Sequence, residues 1–375
     1  MTLEGINITL LIGTGVPRPA PPEVADALES CEITNASDRS GFQLKFRTGP
    51  RSLLQTTLLP AGFFDPVLTR VIVLATVRGL PQVLADGVIT KHDIAPSNTA
   101  GQSMLTVTGE DLSVLMDIVE MPFMRFFTPV IARVYQILAK YAALGIVPLA
   151  LPPVVPDVPI PTEGFVSQTG TDRAYLKKMA SDTGYVFYVE PGPAPGMNIA
   201  YFGPDIRIPA PQPALTVNMG GHSNVESLSF AMDGMAKKIV VMTIMDPVSR
   251  RVPIPVPIPN FNVLRPPMGL RPTPPSKVTF PSDAASLAPD RAASYALALS
   301  FGAADAITGT GSLDVLRYGQ VLRARMMVGV RGAGLAYDGL YYVNSVTHSL
   351  KRGQYKQNFS LSRDGLVSNT PVVPV

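Results

Sequence analysis

Apolar and polar positions alternate most regularly between Gly311 and Gly365. Leu322, Met326, Val328 and Val330 interleave with smaller or polar residues, a glycine-rich loop passes through Gly332, Gly334 and Asp338-Gly339, and Tyr341 to Leu350 forms a second run. After a turn at Lys351-Arg352-Gly353-Gln354, Tyr355, Gln357, Phe359 and Leu361 alternate with Lys356, Asn358, Ser360 and Ser362. A period of two between glycine turns predicts an antiparallel meander with one buried face. The chain from Ile6 to Val107 reads the same way. Phe42 to Phe46 alternates, Val71 to Val77 is continuously apolar, Leu84 to Lys91 follows the turn Arg78-Gly79-Leu80-Pro81, and Gly101 to Val107 completes a barrel-sized set.

Between these β-rich ends the period changes to that of a helix. Asp111 to Glu120 and Pro129 to Leu144 are predicted helices, the second with Ile131, Val134, Ile137, Leu138 and Tyr141 on one stripe and Gly145 as its cap. Thr171 is placed as an N-cap ahead of Asp172, with Tyr175, Leu176, Met179 and Ala180 as an apolar face and Gly184 as the stop. Strands are predicted at Tyr185 to Val189, Met197 to Phe202, Leu215 to Met219, Val225 to Met232 and Lys237 to Met245, and a last helix at Pro289 to Phe301. The class is α+β, dominated by antiparallel sheet.

Composition narrows the picture. A chain of 375 residues has room for two to four domains. Its 46% hydrophobic and 16% charged residues, with a mean hydropathy of +0.23, predict apolar surface buried against other chains. No apolar run approaches the roughly 20 residues that span a bilayer, and Met1 to Gly13 carries Glu4 and Asn7 where an export signal needs a basic start and a long apolar core. Synthesis in the cytoplasm is expected. A net charge of +3, without a basic cluster, gives no support for sequence-specific nucleic-acid binding.

Of the 38 prolines, 16 fall in two zones, Pro148 to Pro161 and Pro247 to Pro275. From Val252 to Pro259 every second residue is proline, which removes alternate backbone donors and predicts an extended polyproline-type strap outside any sheet interior. The strap is either a stiff linker or an apolar belt against a neighbouring subunit.

Candidate chemistry is sparse. Cys31 is the sole cysteine, so there is no internal disulfide, and a small buried hydrophobe is its expected role. His92, His222 and His348 include no helical i, i+4 pair of the kind that holds zinc, and nucleotide or nucleophile-elbow motifs are lacking. Glu163, Asp172 and Asp182 are the carboxylates from which a hydrolytic pair is conceivable, against the plainer roles of capping and solvation. Lys177, Lys178, Arg323, Arg325 and Arg331 either face a channel or another protein, or are simply solvated. No catalytic, cofactor or metal residue is assigned.

Two segments are alike. Asp86-Gly87 leads to Thr90-Lys91-His92, and Asp338-Gly339 leads to Val346-Thr347-His348, each read as a turn followed by a strand ending in Thr and His. This predicts two copies of one barrel.

The order Asp38 to Phe46, Asp86-Gly87 to His92, Gly109 to Leu112 and Gln168 to Tyr185 resembles the baseplate hub family of contractile injection machines. That family includes the late control protein D of myophages, the T4-type central hub and the hub half of the valine-glycine-repeat spike proteins. The resemblance is strongest in Gly309-Thr310-Gly311, Leu313-Asp314-Val315, Gly319-Gln320-Val321, Asp338 to Val343, Val346-Thr347-His348, Gly353-Gln354-Tyr355, Phe359, Leu361 and Arg363.

It implies two related tube-type β-barrels with inserted α/β segments. It also implies a noncatalytic homotrimer whose six barrels fit a threefold spike to a sixfold tube. The implied partners are further copies of itself, the inner tube ring, a separate spike or tip protein, other baseplate proteins and cargo in the tube lumen, with no cofactor. The implied location is the baseplate of a tail or injection particle. The spike is expected to be separate because the sequence contains neither an oligonucleotide-binding-type domain nor a β-helix repeat. A tail-borne cell-wall hydrolase and a soluble β-rich binding protein are the alternatives. The expected division is a first barrel over 1–109, a helical and Pro-rich connector over 110–164 and an α/β segment over 165–246. A strap follows over 247–282, a helix over 283–308 and the terminal meander over 309–375.

Overall fold

The computed structural model describes residues 2–3, 6–37, 39–99, 101–153, 165–208, 210–245, 253–257, 265–280 and 305–370. The predicted helix at Pro289 to Phe301, and Glu163, lie outside them. The fold is mainly β, with short helices.

Two antiparallel half-sheets form the body. In the first, the hydrogen-bonded order is Ile6–Thr14, Thr69–Val77, Leu80–Ala95, Ser103–Asp111, Ser40–Thr48 and Leu28–Ala36. Their inward positions follow the period-two pattern: Ile6, Ile8, Leu10 and Ile12 from one strand meet Val71, Val73, Ala75 and Val77 from the next, all buried. The Arg78-Gly79 turn has positive φ at both residues, 51° and 83°. Those are the mirror-image turn angles that match strand twist, and Gly79 adopts them without strain.

The second half-sheet runs Gly339–Lys351, Gln354–Arg363, Ile307–Asp314 and Val225–Met232. Met327–Arg331 pairs with the start of its long first strand and, in parallel, with Gln212–Thr216. Tyr341, Val343, Val346, Leu350, Tyr355, Phe359 and Leu361 point into the core that the first half-sheet also fills.

Several expected elements change on folding. Asp111 to Glu120 is not an α-helix but one short 3-10 stretch, Leu112–Asp117. Its start is fixed because the Asp111 carboxylate accepts from Ser113 N–H, and at its end Asp117 accepts from the Thr171 hydroxyl, after which the chain leaves toward Pro122. Pro129 to Leu144 divides into an α-helix, Val130–Ala139, and a 3-10 turn, Ala142–Leu144, that stops at left-handed Gly145. The strand expected from Gly101 is Ser103–Asp111, and the one expected at Leu215 to Met219 is Gln212–Thr216.

Asp86-Gly87 is not a turn. It lies inside Leu80–Ala95, with Ile72 opposite Asp86 and Val71 opposite Gly87, because the reversal has already been made at Arg78-Gly79. The proline strap is also corrected in part. Pro253–Pro257 pairs antiparallel with Lys238–Met245 as the edge of a three-stranded sheet. Prolines at every second position keep the missing donors on one side, so the other side can pair.

The inserted α/β segment has its own core. Ile146–Ala150, Asn198–Gly203 and Val186–Pro191 make a three-stranded sheet, the first pair parallel. Val134, Ile137 and Leu138 from one helix and Tyr175, Leu176 and Met179 from Asp172–Thr183 cover it. The second helix is capped as its sequence predicts: Thr171 Oγ1 accepts from Ala174 N–H, and Gly184 closes it at φ 71°.

Candidate functional site

The two half-sheets meet along a seam. Leu28–Ala36 pairs with the second half of Gly339–Lys351, from Ser30 opposite Lys351 to Ala36 opposite Ser345. The long strand thus gives one edge first to Met327–Arg331 and then to the other half-sheet. Side chains reinforce the crossing. Arg352 donates to the Asp26 carbonyl, Arg78 donates to the Leu316 carbonyl at 3.3 Å, and Arg323 reaches Gln82 at 3.4 Å.

Inside the seam sits a polar cluster on an otherwise apolar face. His348 is 2% exposed. Its Nδ1 lies 2.8 Å from Tyr355 Oη and 3.2 Å from Gln357 Nε2, and its Nε2 is 3.4 Å from Asn35 Nδ2. The Gln357 amide is oriented by Leu322, donating to its carbonyl and accepting from its N–H. A donor therefore faces Nδ1, which must accept, and the ring is neutral. Burial, together with the positive charge of Arg323, pushes its pKa down to about 3.

Arg325 fastens the seam to the inserted segment. It has a left-handed backbone (φ 61°), its guanidinium lies 4.0 Å over the Tyr188 ring and 3.3 Å from Glu190, and it donates to the Ala36 carbonyl. Cavities lie on either side of it. One of about 400 Å³ is bounded by Tyr188, Tyr201, Ile206 and Tyr342, and one of about 140 Å³ by Asn35, Glu190, Arg323 and His348. Burial raises the Glu190 pKa, against the pull of Arg325 and Arg323.

Two further ionic clamps join the parts. Arg70 holds Asp86 through both carboxylate oxygens at 2.7 and 2.8 Å and donates to the Leu144 and Gly196 carbonyls, while Asn198 donates to Asp86 at 2.9 Å. The first half-sheet is thereby tied to the inserted sheet. Arg207 holds Asp305 in the same forked way at 2.8 Å and lies 4.4 Å over the Tyr342 ring. Burial opposes the charge on Asp305, but Arg207 and Arg265 outweigh it and hold that carboxyl below its usual range.

The face of the second half-sheet turned away from the core carries hydroxyls. Across the strands, Thr34, Thr347, Asn358, Ser312 and Ser227 form one row, and Ala36, Ser345, Ser360, Thr310 and Ser229 the next. Thr34 bonds Thr347 at 3.3 Å, Ser345 bonds Ser360 at 2.7 Å, Ser229 bonds Thr310 at 3.0 Å and Ser227 bonds Ser312 at 2.8 Å. At the margin Lys356 and Glu226 pair at 2.7 Å. These rows bear neither apolar bulk nor unbalanced charge.

The residues singled out from sequence are placed as follows. Asp172 is buried and held by Tyr141, Gln168 and Lys140. Asp182 lies on the same helix ten residues later, about 15 Å along its axis, so the two make no carboxylate pair. Desolvation by its surroundings raises the Asp182 pKa, against the pull of Lys178. His92 Nδ1 lies 3.2 Å from the Phe64 carbonyl, and the His222 carbonyl accepts from Thr216. Cys31 is buried in the core, and burial pushes its thiol up to about 12. Lys178 and Arg323 are exposed, Lys177 and Arg331 half-buried, and Arg325 is enclosed in the seam. The sequence reading missed Arg70, Arg207 and the interior role of Arg325. The remote partners of Arg207 and Arg325 leave no local spacing to read.

At the level of sequence, no family model and no curated protein matches the chain. Solved structures do match in fold. A tail protein from Neisseria meningitidis MC58 superposes with a TM-score of 0.63 at 16% identity, over 97% of this chain and 98% of its own. The 43 kDa tail protein of prophage MuSo2 from Shewanella oneidensis gives 0.60 at 12% identity, over 95% and 98%. A chain of the Francisella PdpA-VgrG complex gives 0.62 at 9% identity, over 100% of this chain and 60% of that one. The fold expected from the hub resemblance is the fold observed.

Proposed function

We propose, from this shared tail-protein fold, that the chain is the structural hub of a contractile tail or a tail-derived injection machine. In this reading a homotrimer joins a sixfold inner tube to a threefold spike carried on a separate protein, with other baseplate proteins around it. The observation that carries the proposal is the edge-to-edge pairing of two antiparallel half-sheets within one chain. Three such chains around an axis offer six half-sheets, which is what matching a threefold to a sixfold partner requires. The hydroxyl rows suit a channel wall, because a surface without apolar patches or net charge holds a passing polymer weakly.

The role proposed is mechanical rather than catalytic. Arg70, Arg207 and Arg325 fix three parts of the chain against one another, and Asp172, one of the carboxylates considered for hydrolysis, is a structural partner of Tyr141 and Gln168.

The test is the mass of the purified chain by light scattering, followed by capture of an inner tube protein. A mass near three times the 40.0 kDa of the chain, and co-purification with tube rings, is expected. A strict monomer that ignores the tube would overturn the reading.

A further inference from the structure

Among the described residues, one apolar surface is left exposed. The loop after the 3-10 stretch Leu112–Asp117 exposes Phe123 at 91%, Phe127 at 66%, Ile118 at 56% and Val119 at 55%, with Met124 and, from a neighbouring segment, Phe165 partly open. At about 150–250 Å² for each large side chain, these residues present on the order of 700 Å² of mostly apolar surface. The largest such patch on an ordinary monomer is about 300–600 Å². One partner in a stable complex buries about 800 Å².

The loop is held in place. Arg125–Phe126 pairs antiparallel with Val166–Ser167, Met121 N–H bonds the Gly170 carbonyl at 3.1 Å, and Gln168 N–H bonds the Met124 carbonyl at 2.9 Å. Phe126 points the other way, into the inserted core, and stacks on Tyr175 at 5.9 Å. On the outer side Arg125 lies 4.1 Å over the Phe165 ring, and Phe127 meets the same ring edge-on at 6.1 Å. A fixed cluster of aromatic and Met side chains with a stacked arginine has the composition of an interface centre. Such an arrangement needs little ordering on binding.

We propose that this patch, Ile118 to Phe127 with Phe165, is the surface by which one copy of the chain grips the next. The inference rests on the trimeric reading above and names its contact. The area matches one side of a subunit interface, and the chain's 46% hydrophobic content calls for apolar surface to be covered by protein. A lipid surface fits poorly, because the Asp117 and Glu120 carboxylates flank the patch. In a closed threefold ring the contact is head-to-tail, so the patch meets a different surface of the neighbouring copy.

The test compares wild type, Phe123→Glu and the milder Phe123→Ser by light scattering on the full chain, with urea unfolding as the check of folding. The expected result is a trimeric wild type and a monomeric Phe123→Glu that still unfolds in a single cooperative urea transition. Phe123→Ser should self-associate at least tenfold more weakly. A trimeric wild type with both variants equally trimeric overturns the patch and leaves the hub reading standing. A monomeric wild type overturns the hub reading, and this inference with it. Flotation of wild type with vesicles of phosphatidylcholine and phosphatidylglycerol, abolished by Phe123→Glu, overturns the choice of a second copy as the occupant.

Discussion

Acid should weaken the chain through His348. The ring is neutral in the fold, with a pKa near 3 against about 6.5 when unfolded. Because the folded value is the lower one, the unfolded chain takes up the proton first. The stability linked to the ring is complete above about pH 6.5 and falls as the pH drops toward 3, by about 1.4 kcal/mol per pH unit. Between pH 7 and pH 5 the loss from this group is about 2 kcal/mol.

The geometry supplies the cause: a proton on Nδ1 would face the Gln357 amide donor, on a ring that is almost wholly buried. Other groups add to the loss as the pH falls further, among them Asp305, whose lowered pKa costs stability once the pH drops into the carboxylate range. The measurement is therefore a difference. Wild type and His348→Gln are unfolded in urea at pH 7 and pH 5 and compared by linear extrapolation. Glutamine is uncharged and keeps a donor and an acceptor in the cluster, so the variant should lose about 2 kcal/mol less than wild type on acidification. If both lose the same amount within about 0.5 kcal/mol, the ring is not held neutral by the seam and the reasoning fails. Hydrogen-exchange protection at Ser345 to Leu350 locates the change, since the seam strand should lose protection relative to its intrinsic exchange rate in acid only in wild type.

Two further perturbations probe the joints. Asp86→Asn leaves Arg70 enclosed with an amide in place of its carboxylate and should cost about 3 kcal/mol, read from the urea midpoint; a cost below about 1 kcal/mol would show that the clamp is not structural. Arg325→Met keeps the bulk of the stem but removes the stacked charge and the bond to the Ala36 carbonyl, with an expected loss of about 2 kcal/mol. In a double-mutant cycle with Tyr188→Leu about 1 kcal/mol of this should appear as coupling, and purely additive losses would assign the effect to packing alone.

What the sequence made legible, and what it concealed, divides by range. The half-sheets were readable because a strand with one buried face repeats every two residues, as in Ile6 to Ile12 and Tyr355 to Leu361. The Arg78-Gly79 reversal followed from local turn chemistry, and the Thr171 cap from the residues beside it. The register of Asp86-Gly87 was misread because Asp-Gly favours turns. Here glycine serves close packing: a Cβ at Gly87 would stand 2.0 Å from the Glu110 carbonyl oxygen, and the strand continues because its neighbour approaches that closely. Two of the arginine clamps were invisible, since Arg207 to Asp305 spans 98 residues and Arg325 to Ala36 spans 289, whereas Arg70 to Asp86 is within reach of a hairpin.

The seam lay between these cases. Leu28–Ala36 alternates like any half-buried strand, and nothing in it names a partner more than 300 residues away. Yet the interior face of the last hairpin reads Val346, His348, Leu350 and, opposite, Tyr355, Gln357, Phe359, all buried. A facing His and Gln in an apolar row must find hydrogen-bond partners from elsewhere. That interruption was the signal that another element, carrying Asn35, closes over the strand, and it also makes the join between the two half-sheets the part of the fold most sensitive to a proton.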